Sequence, residues 1–374
     1  MGIERMIPRG MFHTVLLEKI KPIPANILKQ ECLSVGAECA IHEGSMTHHI
    51  ESTQALMMAT EEQYHLLIKN LEGQPFGLPK IGEELKRLLF SPSNDLVLLA
   101  HDKTLDLSKK TAVMGILNVT PDSFSDGGLY TTLNKARERA ESMIQEGADI
   151  IDIGGESTRP GAEKISAVEE IDRVIPLIEA LSQIAPIISI DTTKPEVAED
   201  ALKAGAHIVN DIFGFHGSMD MAKIAAKYDA GVVLMHIQGT PETMQKNPRY
   251  SDLMREVITY LEESIHLAEM AGLSLNHVII DPGIGFGKTV EHNLELLQRL
   301  RELTALKVPI LVGTSRKSFI GKIDGSSVTQ RMGGSLATAV TSVLNGASIV
   351  RVHDVKETVQ AIRVIDTMMK EKNV

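Results

Sequence analysis

Cysteine is scarce in this sequence, and long hydrophobic runs are missing. Cys32 and Cys39 are the only cysteines among 374 residues. A disulfide between them is compatible with the sequence, but we favour two buried free thiols in a reducing compartment. No apolar run approaches the roughly 20 residues that span a bilayer, and the first residues, MGIERMIPRG, lack the apolar core of a signal peptide. We therefore expect a cytoplasmic protein with no membrane partner.

Positive charge is also in deficit. The chain carries 38 Lys and Arg against 49 Asp and Glu, which gives a formal net charge of -11. This balance argues against a nucleic-acid partner, because phosphate backbones bind basic surfaces. An anionic small substrate remains compatible, since a few converging Arg, Lys and His side chains can form a local positive pocket. No pair of histidines has the HExxH spacing of a catalytic zinc site.

From Val113 onward, short apolar runs alternate with amphipathic helical stretches. The runs are rich in Val and Ile, which is typical of buried parallel strands: VMGILNV, DIIDIGG, PIISIDT, HIVNDI, GVVLMH, VIIDPG, PILVGT and SIVRVHD. Eight strand–helix units match a (β/α)8 TIM barrel. The alternative, a doubly wound open sheet, would carry a glycine-rich phosphate signature after its first strand, and that signature is missing. We expect an α/β fold of the barrel type.

Glycine and alanine precede several of these runs. The pairs are Gly147-Ala148, Gly205-Ala206, Ala230-Gly231 and Gly346-Ala347. Glycine suits the residue just past a helix end, where the backbone is left-handed. Each pair is therefore predicted to end a helix.

The first 108 residues lack this regular alternation of apolar runs and helical stretches. They predict a small α/β domain of unknown role, followed by a catalytic domain over residues 109–374. The strands expected in it are HTVLLEKI, ECAIHEG and HIESTQALMMAT, and the helices expected are Glu61–Leu71 and Ile81–Leu89.

Polar residues concentrate where the predicted barrel strands end. In TIM barrels the chemistry lies at these carboxyl ends and in the loops that follow them. Alternation along SIVRVHD places Arg351 and His353 on one face, pointing into the barrel mouth. Two cationic groups are costly to bury without an anion, so the pair is interpreted as an anion clamp. Asp191 and Asp281 could each be an N-cap or an ion pair when viewed alone, but their shared position favours a site that accepts a flat amidine-like edge.

Seven segments, taken together, resemble the signature segments of dihydropteroate synthases, in the order of that family. They are MGILNVTPDSFSDGG (Met114–Gly128), DIGGESTRPGA (Asp152–Ala162), IDTTK (Ile190–Lys194), NDI (Asn210–Ile212), DPGIGFGK (Asp281–Lys288), TSRKSFIG (Thr314–Gly321) and RVHDV (Arg351–Val355). The resemblance implies a transferase that condenses 6-hydroxymethyl-7,8-dihydropterin pyrophosphate with 4-aminobenzoate, assisted by Mg2+. It also implies a homodimer formed by helices near the C-terminus and a target of sulfonamides.

The resemblance also implies roles for individual residues. The catalytic residues would be Asp191, Lys317, Arg351 and His353, and Asn118 would be a metal ligand. The substrate-binding residues would be Asn210, Met235, Asp281, Phe286, Gly313 and Ser318, with Thr158, Arg159, Pro160, Asp122 and Phe124 in two loops that close over the site.

Two other functions compete with this one. A pterin-binding domain that transfers a methyl group from a methylated folate to a corrinoid would share the barrel and the pterin-binding positions. It would not be expected to carry the SRKS segment or the Arg351–His353 pair. A non-catalytic pterin-binding protein is disfavoured because both loops and the anion clamp are intact.

Overall fold

The computed structural model describes residues 2–47, 49–90, 96–119, 129–157 and 164–371. The chain divides into two compact units, Met1–Ser93 and Asn94–Val374. None of the helices within the described ranges is long and apolar enough to cross a lipid bilayer.

The first unit is a three-stranded antiparallel sheet with helices. Its strands are β1 (Phe12–Ile20), β2 (Glu38–Ile41) and β3 (Thr53–Thr60), in the order β1-β3-β2. Its helices are α1 (Gly2–Gly10), α2 (Pro22–Ser34), α3 (Gly44–Thr47), α4 (Glu61–Leu71) and α5 (Leu78–Phe90). The three strands, α4 and α5 were expected from the sequence. Both cysteines are buried free thiols in its core, as predicted.

Helix α2 was not among the helices expected from the sequence, and its first three residues include two prolines. Pro22 and Pro24 lie in its first turn. The missing N–H of proline is tolerated there, since the first N–H groups of a helix have no partner within it. The prolines therefore begin this helix rather than interrupt it.

The second unit contains a closed barrel of eight parallel strands, which confirms the predicted (β/α)8 fold. The strands are β6 (Ala112–Asn118), β7 (Ile150–Gly154), β8 (Ile188–Asp191), β9 (Ile208–Asp211), β10 (Gly231–Met235), β11 (Val278–Asp281), β12 (Leu311–Val312) and β13 (Ile349–Val352). They pair in the order β11-β10-β9-β8-β7-β6-β13-β12. A parallel bridge between Ile280 and Ile310 joins the two ends of this order.

Helices surround the barrel and bury aliphatic side chains against the outer face of its strands. They are α6 (Leu129–Glu146), α7 (Ala167–Leu181), α8 (Pro195–Ala204), α9 (Met219–Lys227), α10 (Leu253–Ala271), α11 (Val290–Gln298), α12 (Ser318–Asp324), α13 (Met332–Leu344) and α14 (Val355–Glu371).

A β-hairpin packs on the amino-terminal end of the barrel. Its strands are β4 (Val97–Ala100) and β5 (Lys103–Asp106). Leu98 and Leu107 are buried in one cluster with the first residues of several barrel strands. This packing explains why the compact barrel unit begins at Asn94, earlier than the boundary at residue 108 that the sequence suggested. It also leaves the carboxyl end as the place for polar side chains.

The glycine prediction is confirmed at three of its four positions. Gly147, Gly205 and Gly346 have φ values of 104°, 111° and 102°. It is wrong at Gly231, because Asp229 takes the left-handed conformation there with φ 53°. Gly231 instead starts β10, where an added Cβ would lie 3.1 Å from Cβ of Ala100 in the hairpin.

Candidate active site

The barrel register brings the polar strand ends together. Asp191 is level with Gly154 on one neighbouring strand and with Asn210 on the other. Met235 is level with Asp281. Residues far apart in sequence therefore meet at one carboxyl rim, as the sequence predicted.

An ion-pair network occupies one side of this rim. Nη2 of Arg351 lies 2.5 Å from Oδ2 of Asp152 and 2.6 Å from Oδ2 of Asp191. Nδ2 of Asn210 donates to the same Asp152 carboxylate at 3.3 Å. Asp152 is fully buried, whereas the Arg351 side chain keeps 20% of its exposure. One buried anion therefore holds both Arg351 and Asn210.

Burial dominates the electrostatics of this network. It raises the pKa of Asp191 to about 7, although the Arg351 guanidinium acts in the opposite direction. Burial also opposes the charge of Arg351, but Asp152 and Asp191 outweigh it and raise the Arg351 pKa above its ordinary value. A carboxyl group that titrates near neutrality is typical of functional sites.

These contacts change the argument for an anion clamp. Arg351 and His353 do lie on the same face of β13, with Val352 buried between them. However, Arg351 already has two carboxylate partners, and Nδ1 of His353 lies 3.0 Å from Oγ of Ser315. The charge of Arg351 is therefore compensated within the protein, so its burial is not by itself evidence for a bound anion.

A second group of polar residues, formed by Asp281 and Lys317, follows β11 and β12. Asp281 accepts a hydrogen bond from the backbone N–H of Gly283 at 2.7 Å. Nζ of Lys317 donates to the carbonyl of Ile284 and lies 4.4 Å from the centre of the Phe286 ring. Burial raises the pKa of Asp281, and the charge of Lys317 opposes this shift. Burial lowers the pKa of Lys317 to about 8.

An apolar cluster adjoins these groups. Ile212, Met235, Ile237 and Met244 form this buried cluster, and Phe286 packs against it. Met235 and Phe286 are two of the substrate-binding residues expected from the sequence. A flat ring against this cluster would have apolar contacts on its faces and polar groups at its edges, which is the usual composition of a small-molecule site.

The remaining predicted residues have different outcomes. Asn118 ends β6, Gly313 follows β12 directly, and Ser318 begins α12 as an exposed residue. A Cβ added to Gly313 would lie 3.7 Å from Cβ of Arg351, which places this glycine beside the network. Asp122, Phe124, Thr158, Arg159 and Pro160 lie outside the described residues, so their roles stay predictions.

Sequence reasoning gave no role to several residues that the structure places here. Asp152 could have been found from a charge in the middle of the apolar run DIIDIGG. Lys194 pairs with Glu156 at 2.6 Å and with the fully buried Glu170 at 2.5 Å. Oε1 of Glu156 also accepts from the backbone of Ile165 at 3.2 Å. The Glu170 contact joins helix α7 to the segment after β8, and no sequence pattern indicates it.

Comparison with known proteins agrees with this geometry. The profile of the pterin binding enzymes matches residues 114–353. A dihydropteroate synthase of Escherichia coli is 50% identical over 276 residues, which is 74% of this chain and 97% of that enzyme. The chain belongs to the dihydropteroate synthase family of pterin-binding enzymes. Members of this family are transferases of folate biosynthesis, and the activity class expected from the sequence is confirmed.

A solved structure supports the same family. The dihydropteroate synthase of Yersinia pestis, crystallised with a sulfonamide drug, has a TM-score of 0.69 and 46% identity over 73% of this chain and 99% of that one.

The alignment with one further relative extends beyond the barrel of this chain, and that relative is much longer than this chain. A probable bifunctional folylpolyglutamate synthase/dihydropteroate synthase of Halobacterium salinarum is 44% identical over 368 residues, which is 98% of this chain. The match therefore includes most of the N-terminal unit, which the shorter E. coli alignment leaves out. This chain spans 44% of that relative, less than half of its length.

Proposed function

We propose that the carboxyl rim of the barrel condenses 6-hydroxymethyl-7,8-dihydropterin pyrophosphate with 4-aminobenzoate, giving 7,8-dihydropteroate and pyrophosphate. The observation that carries this proposal is that two groups of charged residues interact electrostatically at one rim: Asp281 and Lys317 beside the apolar cluster, and the Asp152–Arg351–Asp191 network. A related enzyme of Xanthomonas albilineans was solved with 4-aminobenzoic acid bound, and it is 43% identical to this chain.

The pterin would lie against the apolar cluster, between Met235 and Phe286. Asp281 and Asn210 would meet the polar edge of its aminopyrimidinone ring, and Lys317 would donate to ring or carbonyl acceptors. The pyrophosphate would lie toward Arg351 and His353, and it would share Arg351 with the carboxylates of Asp152 and Asp191. The carboxylate of Asp191 would then stabilise positive charge that develops on the pterin as the C–O bond breaks.

Bond cleavage in this scheme needs no enzyme nucleophile. The C–O bond breaks early, and pyrophosphate leaves with the bonding electrons. The aniline nitrogen then attacks the methylene carbon of the pterin cation and loses one proton. Catalysis would therefore rest on positioning and on electrostatic stabilisation of the departing anion.

Magnesium is a further part of this proposal. Asn118 offers an amide oxygen at the end of β6, and the described residues contain no group of three His, Cys, Asp or Glu that could hold a metal by themselves. This donor set fits an ion that takes most of its oxygen ligands from pyrophosphate and water. When bound, the ion would neutralise charge on the leaving group.

The test is pyrophosphate release from the pterin substrate with and without 4-aminobenzoate, each with Mg2+ or with EDTA. We expect release that requires 4-aminobenzoate, matches dihydropteroate formation and falls when EDTA is added. A methyltransferase or a non-catalytic binder would release none. A sulfonamide should inhibit the release, and added 4-aminobenzoate should relieve that inhibition.

We also propose that two copies associate through α13 and α14. Val364 and Met368 are four positions apart on α14, so they share a face, and both are more than half exposed. Leu344 on α13 is 45% exposed. Light scattering should give twice the chain mass, and Val364→Glu should give a monomer. A monomeric wild-type protein would contradict this.

A further inference from the structure

Lys288 is a buried lysine for which the proposed reaction has no direct use. It follows β11 at the end of the loop Asp281–Lys288 and is only 2% exposed. Burying an ammonium group is costly unless it is matched by polar partners. The side chain therefore needs a structural or functional reason.

The partners of Lys288 come from two different segments. Its Nζ donates to the carbonyl of Phe286 at 3.0 Å and lies 2.8 Å from Nδ1 of His236. His236 follows β10 and is itself buried, which lowers its pKa to about 2, with the charge of Lys288 adding to this effect. A neutral imidazole can accept at Nδ1. Lys288 thus fastens the loop after β11 to the end of β10.

The backbone of this loop also approaches the segment after β10 at two glycines. Gly283 has φ 68°, and a Cβ there would lie 1.9 Å from the carbonyl oxygen of His236 and 3.4 Å from Nζ of Lys288. Gly287 also lies close to Gln238, and a Cβ added to it would be 2.6 Å from the Gln238 carbonyl oxygen. The loop therefore packs directly against the segment after β10 at these two glycines, and the Lys288 side chain makes a further contact between the same two segments.

This fastening leads to the pterin end of the site. Phe286, whose carbonyl Lys288 holds, presents its ring to Nζ of Lys317 at 4.4 Å. Gly283, beside Lys288, donates its N–H to Asp281. Lys288 therefore contacts Phe286 directly. It connects to Lys317 through Phe286 and to Asp281 through Gly283.

We propose that Lys288 is a positioning residue that sets pterin affinity by holding Phe286 and the Asp281–Gly283 turn against His236. This inference rests on the proposed function, because it assumes that the pterin binds beside Asp281. It assigns Lys288 no contact with either substrate. It therefore predicts a loss confined to the pterin end of the site.

The test compares full-length Lys288→Met with Lys223→Met, a matched change of an exposed lysine on α9. Calorimetry with 6-hydroxymethylpterin should show the dissociation constant rising roughly tenfold or more in Lys288→Met, since the buried Nδ1 of His236 and the part-buried carbonyl of Phe286 lose their donor. The KM for the pterin pyrophosphate should rise in parallel, and the KM for 4-aminobenzoate should stay near the wild-type value. Lys223→Met should bind like the wild type.

A second variant covers the case in which Lys288→Met does not fold, as judged by circular dichroism. His236→Phe keeps a ring near Tyr250 and Tyr260 but removes the acceptor for Lys288, and it should weaken pterin binding in the same selective way. Unchanged pterin affinity in a folded variant would overturn the inference, as would an equal loss for both substrates. Asp281→Asn separates the two proposals: if it leaves pterin binding unchanged, the proposed site itself is wrong.

Discussion

Nε of Arg351 donates to Oδ2 of Asp152 at 2.6 Å, although 199 positions separate the two residues. The two strands that carry them are separated in the sheet by β6 alone. Because Asp152 also accepts from Asn210, one buried carboxylate links the proposed pyrophosphate end of the site to its pterin end. A change at Asp152 should therefore affect the positions of both Arg351 and Asn210, even though Asp152 is assigned no substrate contact.

Asp152→Asn tests that link. Removing the charge leaves Arg351 with one carboxylate partner and should lower the free energy of unfolding by about 3 kcal/mol, the low end for a broken buried ion pair, because Asp191 still pairs with Arg351. Urea unfolding measures this loss. The kcat should also fall by about tenfold or more, because Arg351 and Asn210 lose their common acceptor. Asp172→Asn, at an exposed position on α7, is the control; equal behaviour of both variants would refute the coupling.

Arg351→Lys tests the cation itself. A lysine keeps the charge but cannot donate to two carboxylates in the planar geometry of a guanidinium. We expect kcat/KM for the pterin pyrophosphate to fall by about tenfold or more, and Arg351→Ala to be worse. Arg301→Lys, at an exposed position, should change nothing. Wild-type kinetics in both Arg351 variants would remove this residue from the site.

The pH profile should be narrow. Asp191 has a pKa raised to about 7 and must be ionised to stabilise positive charge, so activity should fall as the pH drops below this value. Lys317 has a pKa lowered to about 8 and must be protonated to donate with a charge, so activity should fall above it. The profile of kcat/KM for the pterin substrate should therefore peak between these values.

Lys317→Arg provides the control for that profile. A guanidinium does not titrate in this range, so the alkaline limb should move to higher pH while the acidic limb stays in place. An alkaline limb that does not move would show that another group controls it.

The N-terminal unit should be dispensable for turnover. The alignment with the E. coli enzyme spans 97% of that enzyme but only 74% of this chain. The barrel unit also has its own hydrophobic core. Residues 94–374 should therefore fold alone and retain kcat/KM within about threefold, as expected of an independent domain. Thermal unfolding and the pyrophosphate assay measure both properties. An inactive but folded barrel would assign the N-terminal unit a catalytic role.

The sequence was most informative where a local pattern decides the structure. The barrel follows from the alternation of apolar runs and helices, and α4 was predicted at its observed bounds, where the structure shows a capping box of Thr60 and Gln63. The sequence was least informative where a contact joins distant segments. The two carboxylate partners of Arg351, the contact of Lys288 with His236, and the packing of the hairpin against Gly231 all depend on distances that no periodicity specifies.

The measurement that tests the central claim most directly is a crystal structure with 6-hydroxymethyl-7,8-dihydropterin pyrophosphate bound. The account predicts the pterin ring between Met235 and Phe286, within hydrogen-bond distance of Asp281 and Lys317, and the pyrophosphate near Arg351. A pterin bound elsewhere, or a pyrophosphate on the far side of the barrel from Arg351, would contradict it.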